Sequence, residues 1–107
     1  MKDRTKALQI PYKVKQAVAN RDSVEGWPCC VLCGRPAPTS APLAFSCAHY
    51  IARSQGGLGI EENILTLCPD CHGEYDGKER NKHKPYLTQY LRRCYRKWDE
   101  KKLTYQK

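Results

Sequence analysis

A small α+β domain, stapled by one four-cysteine zinc site and flanked by a helix on each side, is the fold class this sequence predicts. Three observations predict it. The chain has 107 residues, of which 40% are apolar, with a single Phe. A domain of that size removes only roughly two thirds of its unfolded surface from water, so a metal or a disulfide framework is expected to help hold it. Four of its seven cysteines fall as Cys30-x-x-Cys33 and Cys68-x-x-Cys71, which in a reducing compartment reads as metal binding before disulfide bonding. Finally, helical apolar spacing marks both flanks, while two short apolar runs separated by glycines occupy the centre.

The elements follow in order. Residues 1–9 read as a loose basic lead, with few apolar residues and no period. Ile10, Val14, Ala17 and Val18 then recur at i, i+4, i+7 and i+8, one face of a helix, and Pro11 suits its first turn because no amide donor is needed there. "RDSVEG" ends it. "WPCCVLCGRPAPTSAPLAF" has four prolines and a Cys-x-x-Cys-Gly turn, so it predicts a knuckle followed by a loop. "LAFSCAHYI" predicts a short strand, "ARSQGGLGIEEN" a glycine-rich turn or open loop, and "ILTL" the partner strand. Cys68-Pro69-Asp70-Cys71 makes a second knuckle, and a short helix is expected from near Asp70, carrying His72 and Asp76 and stopped by Gly77. After a lysine-rich bridge containing His83, Pro85 opens a helix over "YLTQYLRRCYRKW", with Leu87, Leu91, Cys94, Tyr95 and Trp98 on one face. The single domain 1–107 thus divides into a basic lead and helix (1–26), a zinc-stapled core (27–77) and a basic C-terminal helix (78–107).

Two knuckles 34 residues apart can close one tetrahedral site, and four thiolates leave no open position for a substrate, so the site is structural. Cys29, at a spacing one residue longer, is the alternative to Cys30; the tight Cys-x-x-Cys-Gly turn favours Cys30. Cys47 and Cys94 have no close partner and read as buried spectator thiols. A thiol redox role is disfavoured, because both pairs are explained by one zinc site and neither follows a βαβ pattern.

The formal charge is +8, and its distribution is informative: six bases and two acids over residues 1–22, two and six over 23–77, eleven and three over 78–107. Two basic arms flank an acidic, histidine-bearing centre. Such arms attract a phosphate backbone, and an acidic centre can hold a divalent cation against it. No secretory leader or membrane-spanning run is evident, so a cytoplasmic protein without membrane contact is expected.

The order His49, then Gly56-Gly57, then Asn63-Ile-Leu-Thr-Leu-Cys-x-x-Cys-His72 resembles the HNH nuclease family. The resemblance runs over residues 10–77 and includes "IPYKVKQAVANRD", "CVLCG" and "AHYIARSQGGLGIEENILTLCPDCHGEYD". "RSQGGLGIEEN" and "YLRRCYRKWDEKKLTY" are similar to small HNH proteins of bacteriophages and prophages. The resemblance implies a ββα-metal (His-Me finger) core, a metal-dependent DNA endonuclease and, if phage-encoded, a bacterial host cytoplasm.

It further implies that His49 is the general base, that Asn63 orients the loop and the base, and that His72 holds a catalytic divalent cation, Mg2+, Mn2+ or another, beside the structural Zn2+ of Cys30, Cys33, Cys68 and Cys71. Asp76, one helical turn beyond His72, is the expected second ligand. Relatives often carry an acidic residue or a histidine directly before the base; here that residue is Ala48. Arg53 is placed to touch a phosphate, and Arg92, Arg93, Arg96 and Lys97 are expected to contact the DNA backbone. Glu61, Glu62 and Glu74 read as surface charges. Phage terminase or other packaging proteins are the partners that a phage setting implies, besides DNA, and roles in recombination or restriction fit equally. The alternative function is a catalytically inactive, zinc-dependent DNA-binding module.

Overall fold

The computed structural model describes residues 2–40 and 44–106. Among them no helix is long and apolar enough to cross a membrane. The chain opens with a helix, α1 (Lys2–Leu8), where the sequence predicts a loose lead. The single apolar anchor Leu8, 3% exposed, gives no period in the sequence yet fastens this helix to the rest of the fold. Helix α2 (Tyr12–Arg21) follows, capped by Pro11 at φ −61°, as the proline predicts. It buries Val18 and Ala19, while Val14 and Ala17 are half-buried.

A hairpin of β1 (Ser23–Val24) and β2 (Trp27–Pro28) turns through Glu25 and Gly26, both at positive φ, and delivers the chain to the first knuckle. Of the predicted strand "LAFSCAHYI", Leu43 lies outside the described residues and only Cys47–His49 pairs, as β3. Its partner is β4 (Ile64–Thr66), antiparallel, with Cys47 opposite Thr66, Ala48 opposite Leu65 and His49 opposite Ile64. Helix α3 (Pro69–Asp76) then packs beside them, ending at Gly77.

The C-terminal helix differs from expectation at both ends. Helix α4 runs Arg80–Cys94, starting five residues before Pro85. Side chains of its first two turns dock on earlier structure: Arg80 donates to the carbonyl of Tyr50 at 2.9 Å, and His83, expected in a solvated bridge, meets Glu74 at 2.9 Å. These contacts, with Leu87 and Leu91 fully buried, offset the backbone hydrogen bond that an internal proline forfeits. Tyr95 and Trp98, expected on the helix face, come after its end. Trp98 nevertheless reaches the core, donating Nε1–H to the carbonyl of Glu62 at 2.8 Å and meeting Tyr50 edge-on. Glu61 likewise is no free surface charge, since it accepts from the Tyr95 hydroxyl at 3.1 Å.

One buried ion pair ties the layers. Asp22, whose side chain is fully buried, accepts from Arg21 Nε at 2.7 Å, from the amide of Thr66 on β4 at 2.9 Å and from the Tyr90 hydroxyl of α4. Arg21 also donates to the carbonyls of Glu61 and Ile64 at 2.8 and 2.7 Å. Burial works against the guanidinium's charge, but Asp22 and Tyr95 outweigh it and push its pKa above the ordinary value. With every acceptor answered, the pair fixes α2 and α4 against the β4 strand.

Candidate active site

The staple comes first, because it starts the helix that bears the site. The sulfurs of Cys30, Cys33, Cys68 and Cys71 all lie within 4.8 Å of one another. Cys33 and Cys68 are 3.7 Å apart, against about 3.8 Å for the edge of a tetrahedron with metal–sulfur bonds of about 2.3 Å. The four can therefore hold a metal such as zinc. Cys29 stands outside, its thiol turned to the carbonyl of Trp27 at 3.3 Å. Gly34, in the left-handed region at φ 76°, closes the first knuckle by donating to the carbonyl of Cys30 at 2.9 Å.

The second knuckle doubles as a helix cap. The Cys68 sulfur accepts from the amide of Cys71 at 3.5 Å, and Pro69 takes the first helical position. Burial raises the Cys68 pKa, but hydrogen bonds from the amide and thiol of Cys71 and from the Cys33 and Cys30 thiols together outweigh it, so the net direction is downward; Cys71 is pushed well up, by burial and its thiol neighbours. Of the remaining thiols, Cys47 is half-buried and Cys94 is exposed at the end of α4 rather than a buried spectator.

From that cap, His72 and Asp76 emerge on one face of α3, with Nε2 of His72 3.1 Å from Oδ2 of Asp76. The other ring nitrogen, Nδ1, lies 2.9 Å from the hydroxyl of Ser46. Strand alternation sends Cys47 and His49 to the same side of β3, whereas Ala48, 1% exposed, belongs to the core. The position before His49 thus contributes no side chain to this face. Cys47, His49, Arg53, His72, Asp76 and Arg80 line one open cleft, and a second depression lined by Lys15, His49 and Arg53 adjoins it.

His49 is half-buried. Its Nε2 is 3.0 Å from the carbonyl of Leu8. Burial lowers its pKa below 6.5, the Leu8 carbonyl opposes this, and the Arg53 charge adds to it. The Arg53 side chain is exposed and makes no hydrogen bond or ion pair among the described residues.

Asn63 is fully buried and works on backbone alone. Its Oδ1 accepts from the amide of Ile51 at 2.8 Å, while its Nδ2 donates to the carbonyls of Ile51 at 3.2 Å and Leu58 at 2.8 Å. The glycine-rich loop is held just as closely: a Cβ on Gly57 would lie 1.7 Å from the carbonyl oxygen of Ile51. Gly57 and Gly59 are places where two backbones touch, whereas Gly56 makes a turn in the left-handed region at φ 83°.

The cleft also contains residues that the sequence does not single out. Arg80 stacks over Tyr75 at 4.2 Å and lies 3.6 Å from Asp76. Its spacing continues His72 and Asp76 by one more turn, a signal hidden by the predicted break at Gly77. Ser46 and the Leu8 carbonyl carry no pattern of their own. The C-terminal bases lie elsewhere: Arg96 and Lys97 line a groove with Tyr95 and Trp98, and Arg92 one with Trp98 and Glu100. Arg93 is exposed on α4.

No curated protein matches the chain in sequence. Residues 30–77, from the first knuckle cysteine to the stop of α3, match the family model described as HNH endonuclease. That span holds the four clustered thiols, both histidines of the cleft and Asn63, so the part of the chain that is similar to the HNH endonuclease family is the part that builds the staple and the cleft.

Proposed function

We propose that the chain is a divalent-metal-dependent endonuclease that hydrolyses phosphodiester bonds of DNA. The observation that carries this reading is the convergence of His49, His72, Asp76 and Arg53 on one open cleft. His49 is the general base. Because its Nε2 faces a carbonyl, which can only accept, the proton sits on Nε2 and the lone pair of Nδ1 is free to take a proton from water. Its lowered pKa keeps that lone pair bare at neutral pH.

His72 and Asp76 offer one imidazole and one carboxylate, a donor set that suits a hard divalent cation whose other positions are filled by water and phosphate oxygens. When bound there, Mg2+ or Mn2+ supplies Lewis-acid stabilisation of the charge developing on the phosphoryl group. With Nε2 of His72 turned to the cation, Nδ1–H donates to Ser46 and fixes the ring. Arg53, unpaired among the described residues, meets a phosphate oxygen. Asn63 holds the loop between base and cation ligand, and Zn2+ on the four cysteines holds α3. Water attacks phosphorus as His49 takes its proton, the bond to the 3′ oxygen breaks, that oxygen takes a proton from solvent water, and 5′-phosphate and 3′-hydroxyl ends result. Lys15, Arg53 and Arg80 around the cleft and the bases of α4 provide the contacts to the backbone.

A second reading, an inactive zinc-dependent DNA-binding module, is favoured by one observation: Ala48 faces the core, so the position before His49 gives the cleft no carboxylate or imidazole. Nicking of supercoiled plasmid by zinc-loaded protein with Mg2+, Mn2+ or EDTA, with His49→Ala in parallel, decides between them. Metal-dependent nicking lost in His49→Ala is the expected result. DNA binding without cleavage under every divalent ion supports the module.

A further inference from the structure

We propose that the backbone of residues 7–10 is a strap that positions His49, the carbonyl of Leu8 dictating which ring nitrogen faces the cleft. This rests on the reading of His49 as the base, and it reaches outside the family-matched span to a segment that the sequence predicts to be a loose lead. Leu8 is the last residue of α1, so its carbonyl has no donor within the helix. Nε2 of His49 fills that vacancy at 3.0 Å, from a residue 41 positions away. A neutral imidazole has one N–H, and spending it on a carbonyl leaves Nδ1 as the only atom able to take a proton.

The strap is itself pinned. The amide of Gly59 donates to the carbonyl of Ala7 at 3.0 Å, and a Cβ on Gly59 would lie 1.8 Å from the carbonyl oxygen of Gln9. The far side of the same loop is tied down by the C-terminal tail, where Leu58 donates to Leu103 and Tyr105 to Gly56, both at 2.8 Å. A side chain at Gly59 therefore cannot be absorbed by the loop and must push the strap away from His49. Gly73, exposed on α3 with open space around its missing Cβ, is the matched control.

The test is 15N NMR of the His49 imidazole in the full-length, zinc-loaded protein, above its pKa and without added divalent cation, for the wild type, Gly59→Ala and Gly73→Ala. The wild type and Gly73→Ala are expected to carry the proton on Nε2, protected from solvent exchange. Gly59→Ala is expected to lose that protection and to mix tautomers, with kcat for plasmid nicking lower by about a hundredfold, KM little changed and zinc content intact. A proton on Nδ1, or one on Nε2 that exchanges freely, in the wild type overturns the strap, and needs no variant to fold. So does an unchanged tautomer in folded Gly59→Ala, whatever its activity. If the tautomer behaves as expected but no protein nicks DNA, the strap stands and the nuclease reading falls.

Discussion

The amide of His72 donates to the carbonyl of Cys68 at 2.8 Å, so the first turn of the helix that carries the cleft's imidazole begins on a cysteine of the staple. Staple and site share one turn of backbone. Metal binding at the four thiols is in that case folding free energy for the cleft as well, and removing it should cost the whole domain rather than one function. Cys68→Ser removes both a ligand and the sulfur that caps α3. The expected outcome is loss of the cooperative thermal transition and of the one zinc ion per chain expected in the wild type, with nicking not restored by excess Mg2+. A folded, metal-free Cys68→Ser protein with a normal melting curve contradicts the structural role.

His72 and Asp76 predict a separable effect. Asp76 is about half exposed, and its contacts to His72 and Arg80 are surface pairs, worth roughly 0–1 kcal/mol. Asp76→Asn should therefore leave the melting temperature nearly unchanged. It should raise the Mg2+ concentration for half-maximal nicking by about tenfold, because a charged hard ligand is lost. A titration that does not move removes Asp76 from the cation site.

The staple was legible because thiol spacing is a local signal: Cys30 and Cys33, then Cys68 and Cys71, each sit within one turn, and their sulfurs do gather. Helix α3 was legible for the same reason, from Pro69 to Gly77. What the sequence hid was contact between segments far apart. Helix α1 is held by buried Leu8 and by bonds from His49 and Gly59 to its last two carbonyls, and α4 begins early because Arg80 and His83 find partners on Tyr50 and Glu74. Asp22 looked like the end of a helix and is instead a buried carboxylate shared by three elements. Gly57 and Gly59 of "QGGLG" looked like freedom and are close contacts, visible only once Ile51 and Gln9 are in place.

Asn63 makes three hydrogen bonds to backbone while fully buried. Asn63→Ala leaves the amide of Ile51 and the carbonyls of Ile51 and Leu58 without those partners. The expected destabilisation is about 2–4 kcal/mol, read from urea unfolding of the zinc-loaded protein. Nicking should fall further than stability explains when measured where the variant is still folded, since the loop it holds leads directly from His49 to β4. A cost below about 0.5 kcal/mol means that the loop is held by its glycine contacts alone.

The pH dependence follows from His49. Burial, the larger influence, and the Arg53 charge lower its pKa beneath 6.5, against the opposing pull of the Leu8 carbonyl. The folded protein thus binds this proton less readily than the unfolded chain does. Its contribution to stability is complete above pH 6.5, and is lost as pH falls from there through the folded value. The catalytic consequence has the same sign: the neutral base persists below the ordinary imidazole range. The acidic limb of kcat/KM for nicking, measured at saturating Mg2+, should therefore bend below pH 6.5. His49→Gln should abolish that limb together with most of the activity, while zinc stays bound. A limb centred above 6.5 means that a group other than His49 is the one that titrates.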